Sequence, residues 1–290
     1  MPLPLLNYIA FSGIFILLSW AIYLPYRCGQ LYLAPVYSMA TGAYFAAYVT
    51  TEWNWPIVLA ILSSPFVGAF FAFLPALGLR KAPGFTTAIA SLALIFIIQT
   101  IVMNLKILGG HSGMFGIPAL EYPLTTILIV LLVAGIIVYR IDHSRFGRAA
   151  ELLYYSSEET ACFGVNMALV GMLLQVLSGA LSGIAGALYA FTVGSVFPGA
   201  FSFSMLLVVF SAVFVGGNLT MWGALVFAPI LWGLPLILPE AIAEWKDVIY
   251  GGLLICILIL RPEGVISKET VREVGDGIRK LARMRRRVFG

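Results

Sequence analysis

Few side chains among these 290 residues are of kinds that do covalent or acid–base chemistry, and those few are scattered. The two histidines, His111 and His143, fall in hydrophilic stretches predicted on opposite sides of a membrane, so they cannot share a metal ion. Cys28, Cys162 and Cys256 have no CxxC spacing and lie in or beside apolar or cytoplasmic segments, which argues against a disulfide framework or thiolate metal site. No GxxxxGK[ST], HExxH or GxSxG motif occurs. The chain is therefore expected to be no enzyme and to bind no cofactor. If ATP drives its activity, a separate polypeptide must hydrolyse it.

The remaining candidates are polar side chains embedded in apolar sequence: Gln30, Ser38, Thr41, Thr86, Thr87, Ser91, Gln99, Gln175, Ser178 and Ser182. Such groups line a path for a polar solute, or they hydrogen-bond a neighbouring helix or their own backbone, the commoner use in membranes. Gln30, Ser38, Thr41, Ser91 and Gln99 are the candidates for a substrate path. Gln99 stands out because a buried primary amide is costly without partners.

The elements that must position these groups are membrane helices. Hydrophobic residues make up 61% and charged residues 10% of the chain, with mean hydropathy +1.00, whereas soluble domains run near a quarter charged. Apolar runs follow one another at about the 20-residue length that spans a bilayer, without the alternation of a β-barrel strand. Spans are expected near residues 5–24, 31–50, 57–79, 85–103, 124–139, 168–191, 204–217, 222–239 and 247–260. The fold class is all-α, a polytopic inner-membrane bundle of about nine transmembrane or partly re-entrant helices. The second span, with Pro35, and the short seventh, ending at Gly216-Gly217, are the ones expected to be broken or re-entrant. No Lys or Arg precedes the first run, so it reads as a retained span rather than a signal peptide.

Orientation follows from the basic residues, which favour cytoplasmic loops. With the N-terminus outside and the C-terminus cytoplasmic, all 17 Lys and Arg residues except Lys106 and Lys246 fall inside. The tail 261–290 clusters Arg283, Arg285, Arg286 and Arg287; it serves as a stop-transfer anchor or binds an ATPase subunit or anionic lipid. The spans are read as free of Asp, Glu, Lys and Arg, which argues against a proton-driven carrier.

Two further segments carry information. In LSGALSGIAGALYA (177–190), Gly179 with Gly183 and Ser182 with Gly186 are four apart, making adjoining small-residue faces that admit close helix approach. Gly42 and Ala46 form a weaker version. The loop 140–166 is the longest charged stretch before the tail. Its stretch Ala149 to Cys162 has no Gly or Pro and predicts a surface helix stopped at Gly164. Such a helix suits a motor contact, and a solvated connection is the plainer alternative.

These segments resemble the permease subunits of branched-chain amino acid type ABC importers, the Liv-type permeases. The resemblance runs through GQLYLAPVYSMATGAYFAAYV (29–49), LGGHSGMFGIP (108–118), FGRAAELLYYSSEETACFGVN (146–166), SGALSGIAGALYA (178–190), VFVGGNLTMWGALV (213–226) and ILRPEGVI (259–266), in the family's order. The outer-loop motif and Trp222-Gly223 look closer to the LivM-like than the LivH-like partner. Glu151, Leu152, Tyr154 and Tyr155 depart from the more basic run usual in the loop, as do Asn218-Leu219-Thr220 after Gly-Gly.

The resemblance implies a transmembrane permease domain over 1–260 with a cytoplasmic coupling loop at about 140–166. It also implies a second related permease as heterodimer partner, two cytoplasmic ATPases holding ATP and Mg, and an extracytoplasmic solute-binding protein; nothing implies nucleic acid. The solute would be a branched-chain or other neutral amino acid or a small relative, and Arg148, Glu151, Glu158, Glu159 and Gly164 would couple to the ATPase. A self-sufficient channel or secondary carrier for a small neutral solute such as urea or an amide is the alternative.

Overall fold

The computed structural model describes residues 3–80, 82, 84–155, 166–237, 245–261 and 264–266. Among them the apolar runs form helices α1 (Leu3–Tyr26), α2 (Pro35–Thr51), α3 (Ile57–Leu79), α4 (Gly84–Asn104) and α5 (Pro123–Asp142). The amphipathic α6 (Arg145–Tyr155) follows, then α7 (Met167–Val193), α8 (Phe203–Gly216), α9 (Met221–Ile237) and α10 (Lys246–Leu260). Among the described residues each predicted span overlaps one helix, and six helical stretches have the length and hydropathy to cross a bilayer. The protein is an all-α, multi-pass membrane protein.

The two doubtful spans resolve differently. α2 has only 17 residues because it starts at Pro35, where proline suits a first helical position; residues 30–34 enter as non-helical chain. Most of α2 is buried, so irregular backbone at its start is covered by protein, the condition under which a membrane interior tolerates it. α8 is preceded by a 3-10 turn at Pro198–Ala200, giving an apolar stretch Pro198–Gly216 of 19 residues.

α7 is the axis of the bundle, packed against α1, α2 and α3. The reason is its glycines. A Cβ at Gly183 would press on the Ser64 carbonyl at 2.5 Å and on the Gly68 Cα at 3.1 Å, and one at Gly179 would meet the Gly68 carbonyl at 2.5 Å. On the neighbouring face, side chains at Gly42 or Gly186 would overlap the backbone of the opposite helix, at Gly183 and Met39 respectively. Helix backbones thus touch directly, which is how membrane helices gain packing without a hydrophobic driving force between them. Ser182 is fully buried and returns its hydroxyl to the carbonyls of Ser178 and Gly179 at 2.9 and 3.1 Å.

The outer faces of α3, α4 and α5 contrast with this centre. They expose Leu62, Phe66, Phe85, Ile89 and Leu132, an apolar coat suited to lipid. At one end of the bundle, loop 105–122 closes against residues 194–201, where Met114–Phe115 pairs antiparallel with Ser195–Val196. At the other end lie the C-termini of α1, α5 and α8 together with α6.

One expectation fails here. α10 begins with Lys246 and Asp247, so the ninth predicted span does carry a carboxylate; helix formation there reaches back past the hydrophobic run, with Asp247 in the first turn, where the helix dipole favours an acid.

Candidate coupling site and translocation path

The local sequence of α6 explains where it starts. Ser144 lies just ahead of it and its hydroxyl accepts the Gly147 N–H at 3.1 Å, satisfying one of the open donors of the first turn. The helix therefore begins at Arg145, ahead of the predicted Ala149. Gly147 sits against the carbonyls of Ile141 and Asp142, where a Cβ would collide, so the turn from α5 into α6 is tight. Gly147, Ala150 and Leu153 face inward, while Leu152 and Tyr155 are exposed.

What fastens this helix to the bundle is Arg27, just past the end of α1. Its side chain is 5% exposed and its guanidinium is ion-paired with Asp142 at the end of α5 and, at 2.8 Å, with Glu151 on α6. Tyr23 donates its hydroxyl to Asp142 at 2.8 Å and lies 3.5 Å from the Leu219 carbonyl in the α8–α9 turn. In the same turn the Asn218 amide donates to the Tyr26 hydroxyl at 3.2 Å, and Tyr26 packs on Tyr154 of α6. Val265 and Ile266 donate backbone N–H groups to Val215 and Gly216 at 2.9 and 3.0 Å. One charged group thus ties the surface helix to α1 and α5, with the α8–α9 turn joined through tyrosines.

Of the residues expected to couple to a motor, Glu151 points inward to Arg27 rather than outward. Arg148 reaches back to the His143 carbonyl at 3.0 Å. Glu158, Glu159 and Gly164 lie outside the described residues. Arg27, Asp142 and Tyr23 were missed because the positive-inside rule reads a basic residue at a span end as solvent-facing. The available signal was an Arg, an Asp and a Glu all predicted on the same membrane face.

The path candidates divide. Gln30 accepts a hydrogen bond from the Gln175 amide at 2.8 Å and covers Gly171. Ser91 is fully buried, accepting the Leu33 N–H at 2.9 Å and donating to the Ala88 carbonyl. Both hold the irregular segment before α2. Thr41 donates to the Ser38 carbonyl at 2.9 Å. The Ser38 and Tyr44 hydroxyls are buried and have no partner among the described residues.

Gln99 and Tyr44 line a void between α2 and α4, with Tyr37, Ile95 and Phe201 around it. Its volume of about 10 Å³ suffices for roughly one water molecule. This void is too small to hold an amino acid or a urea molecule. Beside the Arg27 network, burial pushes the Cys28 thiol up to about 12, so it stays protonated at neutral pH. Among the described residues no three His, Cys, Asp or Glu side chains gather as a metal site would.

A family model described as "Branched-chain amino acid transport system / permease component" matches residues 5–258. The chain belongs to this permease family. The expected resemblance is thereby borne out over nearly the whole membrane region. Among curated proteins, this permease is 29% identical over 171 residues to the high-affinity branched-chain amino acid transport system permease protein BraD of Pseudomonas aeruginosa, covering 57% of the chain and 54% of the relative. It is 24% identical over 263 residues to LivM of Salmonella typhimurium, covering 78% and 61%, and 28% identical over 167 residues to LivH of Escherichia coli, covering 57% and 54%. LivM and LivH relatives match at similar identity, and the matches span between about half and three-fifths of these three proteins. No solved structure matches the chain.

Proposed function

We propose that this permease forms part of the translocation path of an ATP-driven importer for branched-chain or other neutral amino acids or related small solutes. A second, related permease completes the membrane part, two separate ATPases grip α6 from the cytoplasm, and an extracytoplasmic protein delivers the solute. The N-terminus is outside and the C-terminus inside, as the basic residues favour. Family membership supports the class.

The observation that carries the coupling part is the Arg27 network. Force applied to the exposed side of α6, at Leu152 and Tyr155, reaches α1 and α5 through two ion pairs, and the α8–α9 turn through Tyr23 and Tyr26. A void of one water's size between α2 and α4 agrees with a path that opens by helix movement or at a contact with a second permease. Interior Ser38, Thr41 and Gln99 are then the polar groups such a movement uncovers, and a solute without net charge needs only such dipoles.

The test is to purify the chain from gently solubilised membranes and identify what accompanies it by mass spectrometry. Recovery of an ATPase and a second apolar permease is the expected result. Recovery of the chain alone, in a preparation that transports without ATP, would replace this reading with a channel or carrier.

A further inference from the structure

We propose that the Tyr37 hydroxyl is a latch: it stands in for the backbone donor that Pro75 withholds from α3, and its release lets α4 swing away from α2 about a bend at Pro75.

Hydroxyls and prolines pair across this bundle. Five prolines lie inside the described helices: Pro25, Pro65, Pro75, Pro229 and Pro235. A proline has no N–H, so the carbonyl four residues earlier loses its helical donor. Those carbonyls belong to Ala21, Ile61, Phe71, Leu225 and Leu231. Ile61 takes the Ser64 hydroxyl of its own helix at 2.8 Å. Three of the others are met from another helix. Ser178 of α7 donates to the Ala21 carbonyl at 2.5 Å, Tyr37 of α2 to that of Phe71 at 2.6 Å, and Tyr250 of α10 to that of Leu231 at 2.8 Å. A further hydroxyl, that of Tyr8, crosses to the carbonyl of Pro229 itself at 2.8 Å. Carbonyls without a helical donor are few, so hydroxyls that find three of them from other helices are placed rather than scattered.

A membrane interior tolerates such prolines because neighbouring groups satisfy what they free. The pairing also has a mechanical side. A proline ring weakens its helix locally and makes that point a place to bend. Where the substitute donor comes from another helix, the bend and the contact between the two helices change together.

Of the three, Tyr37 is the one that borders the void between α2 and α4, with Ile95 and Gln99 on the opposite wall. Past Pro75, α3 runs only to Leu79 and α4 starts at Gly84, so a bend there carries the start of α4 with it. α4 is free to follow, since five of its 21 residues are buried against 13 of 17 in α2. Tyr37 is thus a positioning residue: its ring forms part of the wall and its hydroxyl holds α3 to α2 with the void closed. In the permease reading the swing widens the path beside Gln99; that use rests on the reading, whereas the latch does not.

The experiment is thiol accessibility of the full chain in nanodiscs, with Cys28, Cys162 and Cys256 replaced by serine and one reporter added at a time. Ile95→Cys reports on the void, and Val209→Cys, also buried but on α8, reports on the rest of the bundle. A charged, water-soluble methanethiosulfonate is expected to label both slowly while the latch is intact. Tyr37→Phe removes the hydroxyl and keeps the ring. It should speed labelling at Ile95→Cys by about tenfold or more, the population shift expected when a buried carbonyl loses its donor, and leave Val209→Cys unchanged. Pro75→Ala should cancel that effect, because residue 75 then supplies the helical N–H itself. The proposal is overturned if Tyr37→Phe leaves the Ile95→Cys rate unchanged, if both reporters speed up alike, or if the rise survives Pro75→Ala in monodisperse protein. Should Pro75→Ala not fold, the two reporters with Tyr37→Phe alone decide. Labelling as expected from a chain that purifies with no ATPase would count against the permease reading and leave the latch standing.

Discussion

The centre of the bundle and the end that carries α6 are held together by opposite means. Where α7 meets α2 and α3, glycines bring backbone against backbone, and the buried Ser182 hydroxyl bonds carbonyls of its own helix. Where α6 meets α1 and α5, a buried arginine joins two carboxylates. The first contact depends on the absence of atoms, since a side chain at any of these glycines would meet backbone. The second depends on charged groups that can exchange partners or water, a property the proposed coupling role calls for.

Filling the glycine seam is the harshest way to break this comparison. Gly183→Leu places a side chain into the backbone of α3, against the Ser64 carbonyl and Gly68, so its cost should exceed the roughly 1–3 kcal/mol of ordinary overpacking. The expected readout is loss of monodisperse protein after solubilisation, and a well-folded variant would mean that the centre can yield.

Arg27→Gln comes next. It leaves Asp142 and Glu151 without their cation, for which fully buried pairs lose about 3–5 kcal/mol; Glu151, with a third of its side chain exposed, recovers part of this through water. A drop in unfolding temperature is expected, smaller for Arg27→Lys, and an unchanged temperature would show the network to be ornamental. Ser144→Ala should cost about 1 kcal/mol through the lost helix cap, seen as faster proteolysis near α6 with the centre unaffected.

The smallest effect is a rate. With Cys162 and Cys256 replaced by serine, Cys28 should react with maleimide far more slowly than a free thiol at pH 7. Burial raises its pKa to about 12, so thiolate is scarce below that and the rate should climb with pH. Fast labelling at pH 7 would show that the end of α1 opens readily.

The same contrast governs what could be read in the sequence. The helices of the membrane region were legible because an apolar run of spanning length has few other fates, and the small-residue spacing in 177–190 pointed to the segment that packs most closely. Arg27 was not, because its burial is decided by Asp142 and Glu151, more than a hundred residues away. Gln30 and Gln175 pair across a similar separation, which no local pattern announces. The start of α6 was misplaced for a local reason, the Ser144 cap, that the sequence did contain. Asp247 was passed over because it borders a hydrophobic run and was absorbed into it.

The measurement that tests the account most directly is solute taken up per ATP hydrolysed by the reconstituted importer complex, compared among wild type, Arg27→Lys and Arg27→Gln at equal membrane content. If α6 delivers force through Arg27, the glutamine variant keeps its ATPase activity while uptake per ATP falls about tenfold or more, the factor that roughly 1.4 kcal/mol represents, and lysine restores part of it. An unchanged ratio in the glutamine variant would contradict the account and move the motor contact elsewhere.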